Sequence, residues 1–236
     1  MKHYKSIISI AIIFLLFVLA QLCLADLYFE SEQISRGVPG RPDGKAVLKQ
    51  YFTADMAMLD LGDRLTIMNF KEKVYHELLK STKTYTTGPL DRMRLESIGI
   101  ETQGLEHNTV VNSILQAVAQ SATVTPTREV QKIGGYTCRK YGVRFLMTDA
   151  VYWTSKEIDG YEELKALADS SIEAFSGNPM LQRMNILGLV RELDGYPVMT
   201  VTYLLGGSIT NMLIQSERKT LDPELFKVPA GYSLIR

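Results

Sequence analysis

Residues 133–147 decide the fold class, and they read Ile133-Gly-Gly-Tyr-Thr-Cys-Arg-Lys-Tyr-Gly-Val-Arg-Phe-Leu-Met147. In the second half of this stretch every second side chain is apolar or aromatic: Tyr141, Val143, Phe145 and Met147. Lys140 and Arg144 occupy alternate positions. A period of two residues is typical of a β-strand with one buried face, so this stretch predicts a sheet with one apolar side.

The same period recurs in the N-terminal half of the chain. Residues 26–36 predict a first strand, and a loop rich in glycine and proline follows it. Residues 45–86 predict a series of further strands, with turn candidates at Gly62-Asp63 and Lys71-Glu72. One apolar set alternates with its neighbours there: Phe52, Ala54, Met56 and Met58.

Three segments change to a period of three to four residues and predict helices: 107–122, 160–175 and 180–193. The first of them lies in an uncharged stretch that runs from Asn108 to Thr127. Two interpretations of that stretch remain open. The helix packs on the sheet with a neutral outer face, or it is a lid over an apolar cavity, where charged groups would be costly to desolvate.

The C-terminal part of the chain returns to strands. Residues 196–205 and 208–218 predict a hairpin that turns at Gly206-Gly207. A single helical turn at 222–226 and a last short strand follow. Strands and helices in this order indicate an α+β fold, an antiparallel sheet with about three helices on one side.

The first 25 residues predict a secretory signal peptide. Lys2 and Lys5 precede an uncharged, strongly apolar stretch from Ser6 to Leu22, and a small residue, Ala25, marks the expected cleavage site. Residues 26–236 are then a single exported domain, with the periplasm as the expected location. Two alternatives are an uncleaved membrane anchor and a lipid-modified Cys23, although Leu22 is larger than the residue that usually precedes such a cysteine.

Composition argues against nucleic acid as a partner, and it limits how cysteine can pair. The whole chain has a formal net charge of zero, so removal of Lys2 and Lys5 leaves −2, which argues against nucleic-acid binding. Residues 26–236 contain one cysteine, Cys138, so no intrachain disulfide is expected. We expect this thiol to be buried as a small apolar side chain; an intermolecular disulfide and a catalytic role are the alternatives.

No motif of the mature chain encodes a recognisable chemistry. Its two histidines, His76 and His107, lack the spacing of a zinc site, and no serine stands in a Gly-x-Ser-x-Gly motif. We therefore expect no catalytic residues, no cofactor and no metal. A hydrolase that uses one of the histidines is the weakest of the functional hypotheses.

The stretch from Ile133 to Tyr141 resembles a motif of exported bacterial proteins known as domain of unknown function 4412. That family typically has an Ile-x-Gly-Tyr-x-Cys-x-x-Tyr motif, a tryptophan in a strand, paired helices, a Gly-x-Pro strand and a terminal Phe-x-x-Pro-x-Gly-Tyr motif. The matching parts of this chain follow in the same order: Ile133–Tyr141, Trp153, residues 161–193, Gly195-Tyr196-Pro197 and residues 226–232. The resemblance covers roughly residues 45–235.

The family is similar to the lipoprotein-carrier superfamily, whose members have a curved, incomplete antiparallel barrel with helices across its open side. The resemblance therefore implies an apolar concavity under a helical lid, and it implies no catalytic residue. In physical terms, Gly135 permits a tight or left-handed turn between strands, and Tyr136 and Tyr141 combine an apolar ring with a hydroxyl group.

These observations favour a non-enzymatic protein that binds a lipid, an acyl chain, a lipoprotein or an apolar partner. The candidate lining residues are Met56, Met58, Ile114, Val118, Phe145 and Met184. Methionines adapt to varied apolar ligands, but they also fill irregular cores and, in exported proteins, bind copper(I). The main alternative is an envelope assembly or adhesion component that acts through protein–protein contacts.

Overall fold

The structure, a computed structural model, describes residues 26–94, 97, 123–145, 148–178 and 192–235. These residues form one twelve-stranded sheet and one α-helix, α1 (Tyr161–Ala174). Short 3₁₀ turns cover Leu90–Arg92 and Pro223–Phe226. The strands are β1 (Leu27–Arg36), β2 (Gly44–Phe52), β3 (Met56–Leu61), β4 (Arg64–Asn69), β5 (Val74–Leu79), β6 (Thr84–Pro89), β7 (Thr123–Ile133), β8 (Tyr136–Phe145), β9 (Thr148–Ser155), β10 (Tyr196–Leu204), β11 (Gly207–Arg218) and β12 (Ser233–Leu234).

The strands form a curved, unclosed sheet in the order β12-β6-β5-β4-β3-β2-β1-β11-β10-β9-β8-β7. All neighbouring pairs are antiparallel except β12 and β6, which are parallel. The α+β class with a curved antiparallel sheet is therefore confirmed. The expectation of about three helices is not: the described residues contain one, and the predicted helices at 107–122 and 180–193 fall almost entirely outside them. No described helix is long and apolar enough to cross a membrane.

The two faces of the sheet are distinguished most clearly in β3 and β4, because neighbouring residues of a strand point to opposite sides. Ala57 pairs with Met68, and both pack with Leu167 and Phe175 at the end of α1. We call this side the helix face. Met58 lies on the opposite face, beneath the segment from Leu221 to Phe226, which covers it as a separate cluster. The sheet is thus covered on both sides in this region.

Aromatic rings fill the centre of the sheet near α1. The side chain of Phe29 is fully buried, with its ring centroid 5.0 Å from that of Tyr196 and 5.8 Å from that of Phe52. Trp153 belongs to the same cluster and is 8% exposed, so it anchors the core. This cluster supports one side of the cleft described below, because Phe52 also lines that cleft.

The β10–β11 turn differs by one residue from the prediction. Leu204 pairs with Gly207, so the two turn residues are Leu205 and Gly206, both with positive φ, rather than Gly206 and Gly207. Gly207 is instead needed in the strand, because a Cβ there would lie 2.4 Å from the carbonyl carbon of Gly37. Gly135, by contrast, lies in the β7–β8 turn with φ of 93°, as predicted.

A glycine also positions α1 over the sheet. Gly160 precedes the helix with φ of 80°, and a Cβ there would lie 2.2 Å from a methyl carbon of Leu27. Only glycine combines this left-handed backbone with such close contact. The N-terminus of α1 is therefore held directly against the first strand.

Buried polar groups fasten the segment after β6 to the sheet. The Thr66 hydroxyl donates to the Ser97 carbonyl oxygen at 2.5 Å, and the Ser97 hydroxyl donates to the Glu77 carboxylate at 2.7 Å. Farther along, the buried side-chain amide of Asn178 donates to the Met93 carbonyl oxygen at 2.9 Å. The first two bonds join Ser97 to β4 and β5, and the third joins Asn178, after α1, to the segment after β6. Buried polar groups require such partners.

Candidate functional site

A cleft of about 410 Å³ lies between α1 and the sheet. Its walls come from three places in the chain: the start of β1, the β2–β3 connection and one side of α1. The lining residues are Asp26, Leu27, Phe52, Thr53, Ala54, Asp55, Glu163, Ala166, Leu167 and Ser170. The cleft is therefore built by the same contacts that hold α1 against the sheet.

The contribution of α1 follows from helical geometry. Glu163, Ala166, Leu167 and Ser170 are spaced by three, four and seven residues from the first, which places them on one side of a helix. Leu167 is buried at the base of the cleft, whereas Ala166 is exposed at its wall. The small side chain of Ala166 leaves space that a larger residue would fill.

The base of the cleft is apolar and its rim is acidic. Leu27 and Leu167 are 2% and 7% exposed, and Phe52 joins them. Two of the three rim carboxylates have partners: Glu163 lies 2.8 Å from the Arg218 guanidinium, and Asp26 accepts a hydrogen bond from the Leu221 amide at 3.0 Å. None of the described lining residues is a histidine, cysteine, lysine or arginine. The described lining thus combines an apolar base with three carboxylates and two hydroxyl groups.

Of the predicted lining residues, the two whose side chains the structure describes do not line the cleft. Met56 and Met58 lie together, but in the cluster on the face opposite α1, where Met58 is 4% exposed. Phe145 is the last residue of β8, and its side chain is outside the description, as are Ile114, Val118 and Met184. Among the predicted residues with described side chains, Met56 and Met58 thus lie together, away from the cleft.

The β2–β3 connection explains why Met56 and Met58 lie on the face opposite Phe52. Phe52, Ala54, Met56 and Met58 alternate in the sequence with Thr53, Asp55 and Ala57, which suggested one common face. In the structure β2 ends at Phe52 and β3 begins at Met56, so the alternation restarts after the connection. Phe52 and Ala54 line the cleft, and the methionines point to the other face. The alternation before the connection was therefore a sequence signal that Phe52 and Ala54 share a face. It does not extend across the connection to Met56 and Met58.

Burial determines the chemical surroundings of Cys138 and His76. Cys138 is free and fully buried, as expected, and burial raises the pKa of its thiol. His76 lies in β5, with its ring centroid 6.2 Å from that of Tyr85. Its Nδ1 atom is buried and has no hydrogen-bond partner among the described residues. His107 is outside those residues. Within them, no group of three or more histidine, cysteine, aspartate or glutamate side chains is arranged to hold a metal ion.

Acidification is expected to destabilise the fold through His76. Burial lowers the pKa of His76 in the folded protein, although Glu72 opposes part of this effect. The unfolded chain then binds the proton more readily, so stability falls as the pH drops through the unfolded value of about 6.5 towards the folded pKa. Thermal unfolding between pH 8 and 5 should show a smaller loss of Tm for His76→Phe than for the wild type. Parallel curves for the two proteins would contradict this assignment.

Comparison with known proteins supports a family assignment and no more detailed identity. No curated protein has significant sequence similarity to the chain. The chain is similar in structure to PNGF-II, with 14% identity and a TM-score of 0.42; the match covers 89% of this chain and 30% of that one. The chain thus spans less than a third of the length of PNGF-II.

Two smaller proteins are matched over most of their length. A DUF1329 family protein from Desulfovibrio piger has 9% identity and a TM-score of 0.37, with 87% of this chain and 90% of that chain covered. A LolA superfamily protein from Nitrosomonas europaea has 6% identity and a TM-score of 0.31, with 86% and 90% covered. These values assign no function to the chain.

The sequence itself matches a family model, described as domain of unknown function (DUF4412), over residues 48–232. The match includes the Ile133–Tyr141 motif, Trp153 and the terminal motif at 226–232, on which the resemblance was based. It also includes the α1 side of the cleft and Phe52 to Asp55, whereas Asp26 and Leu27 precede it. Because this match covers most of the sequence, the chain belongs to the DUF4412 family.

Proposed function

We propose that this protein is an exported, non-enzymatic binding protein, which holds a lipid, an acyl chain or an apolar segment of a partner in the cleft between α1 and the sheet. The observation that carries the proposal is the cleft itself, with an apolar base of Leu27, Phe52 and Leu167. Its volume of about 410 Å³ is within the usual range of small-molecule sites, roughly 300–1,000 Å³.

The chemistry of the lining supports binding. Its polar groups are two hydroxyls, on Thr53 and Ser170, and three carboxylates, two of which are already engaged by the Arg218 guanidinium and the Leu221 amide. The polar groups at the rim are suited to keeping the head of an amphiphile near water while its chain occupies the apolar base. Export of the protein is supported by the N-terminus of the sequence, where two lysines precede a long apolar stretch.

Filling the cleft is expected to abolish most of this binding. Ala166→Trp places a large ring at the exposed wall of the cleft without altering the buried Leu167. We expect at least a tenfold loss of affinity for a fluorescent fatty-acid probe in a titration, with an unchanged Tm. Lys165→Trp is the matched control, because it adds the same ring to an exposed neighbour that does not line the cleft. Equal affinities of the two variants would place the ligand elsewhere.

The ligand class is best identified from the protein as it is exported. Native mass spectrometry of material purified from the periplasm without detergent should show about one apolar molecule per chain, which denaturing lipid analysis then identifies. An empty monomer that also fails to bind the fatty-acid probe would overturn the proposed function.

A second candidate function, assembly through protein–protein contacts, is favoured by strand β7. This strand has eleven residues and stands at the end of the described sheet, paired only with β8 within it. Most of its residues are exposed, including Val130 at 61%. An exposed edge of this length can accept a strand of another protein, although Pro126 and Lys132 limit the pairing. A crosslinking pull-down that returns one stoichiometric partner and no lipid would support this alternative.

A further inference from the structure

At the tip of the β10–β11 hairpin, Leu205 has a left-handed backbone conformation that is unfavourable for leucine. Three non-glycine residues in the described parts of the chain have positive φ: Lys73, Lys83 and Leu205. Leu205 is the apolar one, with φ of 49° in a two-residue turn that favours asparagine, aspartate or glycine. Outside glycine and asparagine, this conformation carries a steric cost, so a leucine here calls for another reason.

Leu205 is also exposed rather than buried. Its side chain is 55% exposed, so core packing does not account for the residue. Tyr203, two residues earlier, is 53% exposed. The hairpin end therefore presents an aliphatic and an aromatic side chain to the outside. Single exposed apolar residues are ordinary, but an exposed one that also strains the backbone is not.

The tip is held firmly by its neighbours. Gly207 packs directly on the backbone of Gly37 and Val38, where a Cβ would lie 2.4–2.5 Å from their atoms. The loop that contains them is closed in turn, because the Gly37 amide donates to the Asp43 carboxylate at 2.6 Å. Leu205 is therefore presented by a supported turn rather than by a loose loop.

From these observations we propose that the β10–β11 tip inserts into the interface of a lipid bilayer, with Leu205 and Tyr203 as the inserted side chains. Tyrosine suits this depth, because its ring is apolar and its hydroxyl reaches the polar layer. Two such side chains supply a weak, reversible contact, since even a single acyl chain binds a membrane only marginally. A protein partner is less suitable, since a specific protein interface buries about 800 Å² on each side and two side chains cannot supply that area.

Charged groups at this end of the sheet are mostly paired: beside Tyr203, the Asp149 carboxylate lies 2.9 Å from the Arg144 guanidinium. Arg36 is exposed beside the tip, opposite Ser208. The Lys45 ammonium, by contrast, lies 3.1 Å from the Glu32 carboxylate, and the Asp43 carboxylate accepts from Gly37. Binding should therefore occur on neutral vesicles and change little with salt. The inference stands independently of the cleft and of any ligand in it.

Leu205→Asn tests the proposal, because it removes the apolar group and fits the left-handed turn. In co-sedimentation of the exported protein with phosphatidylcholine vesicles, we expect about a tenfold lower partition coefficient, the factor that burial of roughly half a leucine side chain supplies. The Tm of the variant should not fall, because asparagine suits the turn better. Leu234→Asn is the control, since Leu234 is 51% exposed in β12 at the far edge of the sheet.

The outcomes separate the proposal from its alternatives. All variants have the same N-terminus, so an N-terminal anchor contributes equally to each of them. Vesicle binding that is equal for wild type and Leu205→Asn, or absent from both, overturns the proposal. So does an equal loss for Leu234→Asn, which would show an unspecific apolar effect. Light scattering that shows a dimer lost only in Leu205→Asn would identify a second copy of the chain as the occupant instead.

Discussion

Phe29→Ala is expected to lower the free energy of unfolding by about 3–5 kcal/mol, the usual cost of removing a buried phenylalanine. Phe29 is fully buried in β1 and packs against the rings of Tyr196 and Phe52, from strands on both sides of the sheet centre. The cavity left by the ring cannot collapse easily between them. For a domain of this size the change corresponds to a loss of roughly 10 °C in Tm.

Urea unfolding followed by circular dichroism measures this effect. Val47→Ala is the control, because Val47 lies in the neighbouring strand β2 and is 46% exposed. Its substitution should change the free energy of unfolding by about 0.5 kcal/mol or less. A cost below about 1 kcal/mol for Phe29→Ala would mean that the aromatic cluster is not the stabilising centre of the sheet.

Gly207→Ala is expected to destabilise the protein by about 3 kcal/mol, the upper end of the range for overpacking. The new methyl group would lie 2.4 Å from the carbonyl carbon of Gly37 and 2.5 Å from the Val38 nitrogen. Both are backbone atoms, so neither a rotamer change nor a flexible side chain can make room. The strand or the β1–β2 loop must move.

Gly44→Ala provides a matched control for this substitution. A Cβ at Gly44 meets nothing within 4 Å, and its φ is not in the left-handed region. We expect a change within about 0.5 kcal/mol in the same urea unfolding experiment, as for an ordinary surface position. Equal stability of the Gly207 and Gly44 variants would contradict the close contact between the hairpin and the loop.

The sequence predicted most of the sheet, because alternation is a local property. The strands around Gly62-Asp63 follow the predicted pattern, and so does the buried Cys138. The position of the cleft was not predictable in this way. Phe52 and Met56 have the same parity in the sequence, yet the β2–β3 connection places them on opposite faces.

Two further details depend on contacts between distant parts of the chain. On α1, the side that lines the cleft includes Glu163 and Ser170, so an apolar stripe does not mark it. At the β10–β11 turn the sequence shows two adjacent glycines. Only the approach of Gly37 distinguishes the glycine that must lie in the strand from the one that turns. Local patterns contain neither piece of information.

The position of β1 also determines when the protein can finish folding. Residues 27–36 pair with β2 on one side and, on the other, with residues 208–218 near the end of the chain. The central strand therefore stays half paired until almost the whole polypeptide has emerged from the ribosome. Such distant pairing slows folding, because a long loop must close before the contact forms. A chain built in this way keeps an open edge at its central strand until its last hairpin is available to close the sheet.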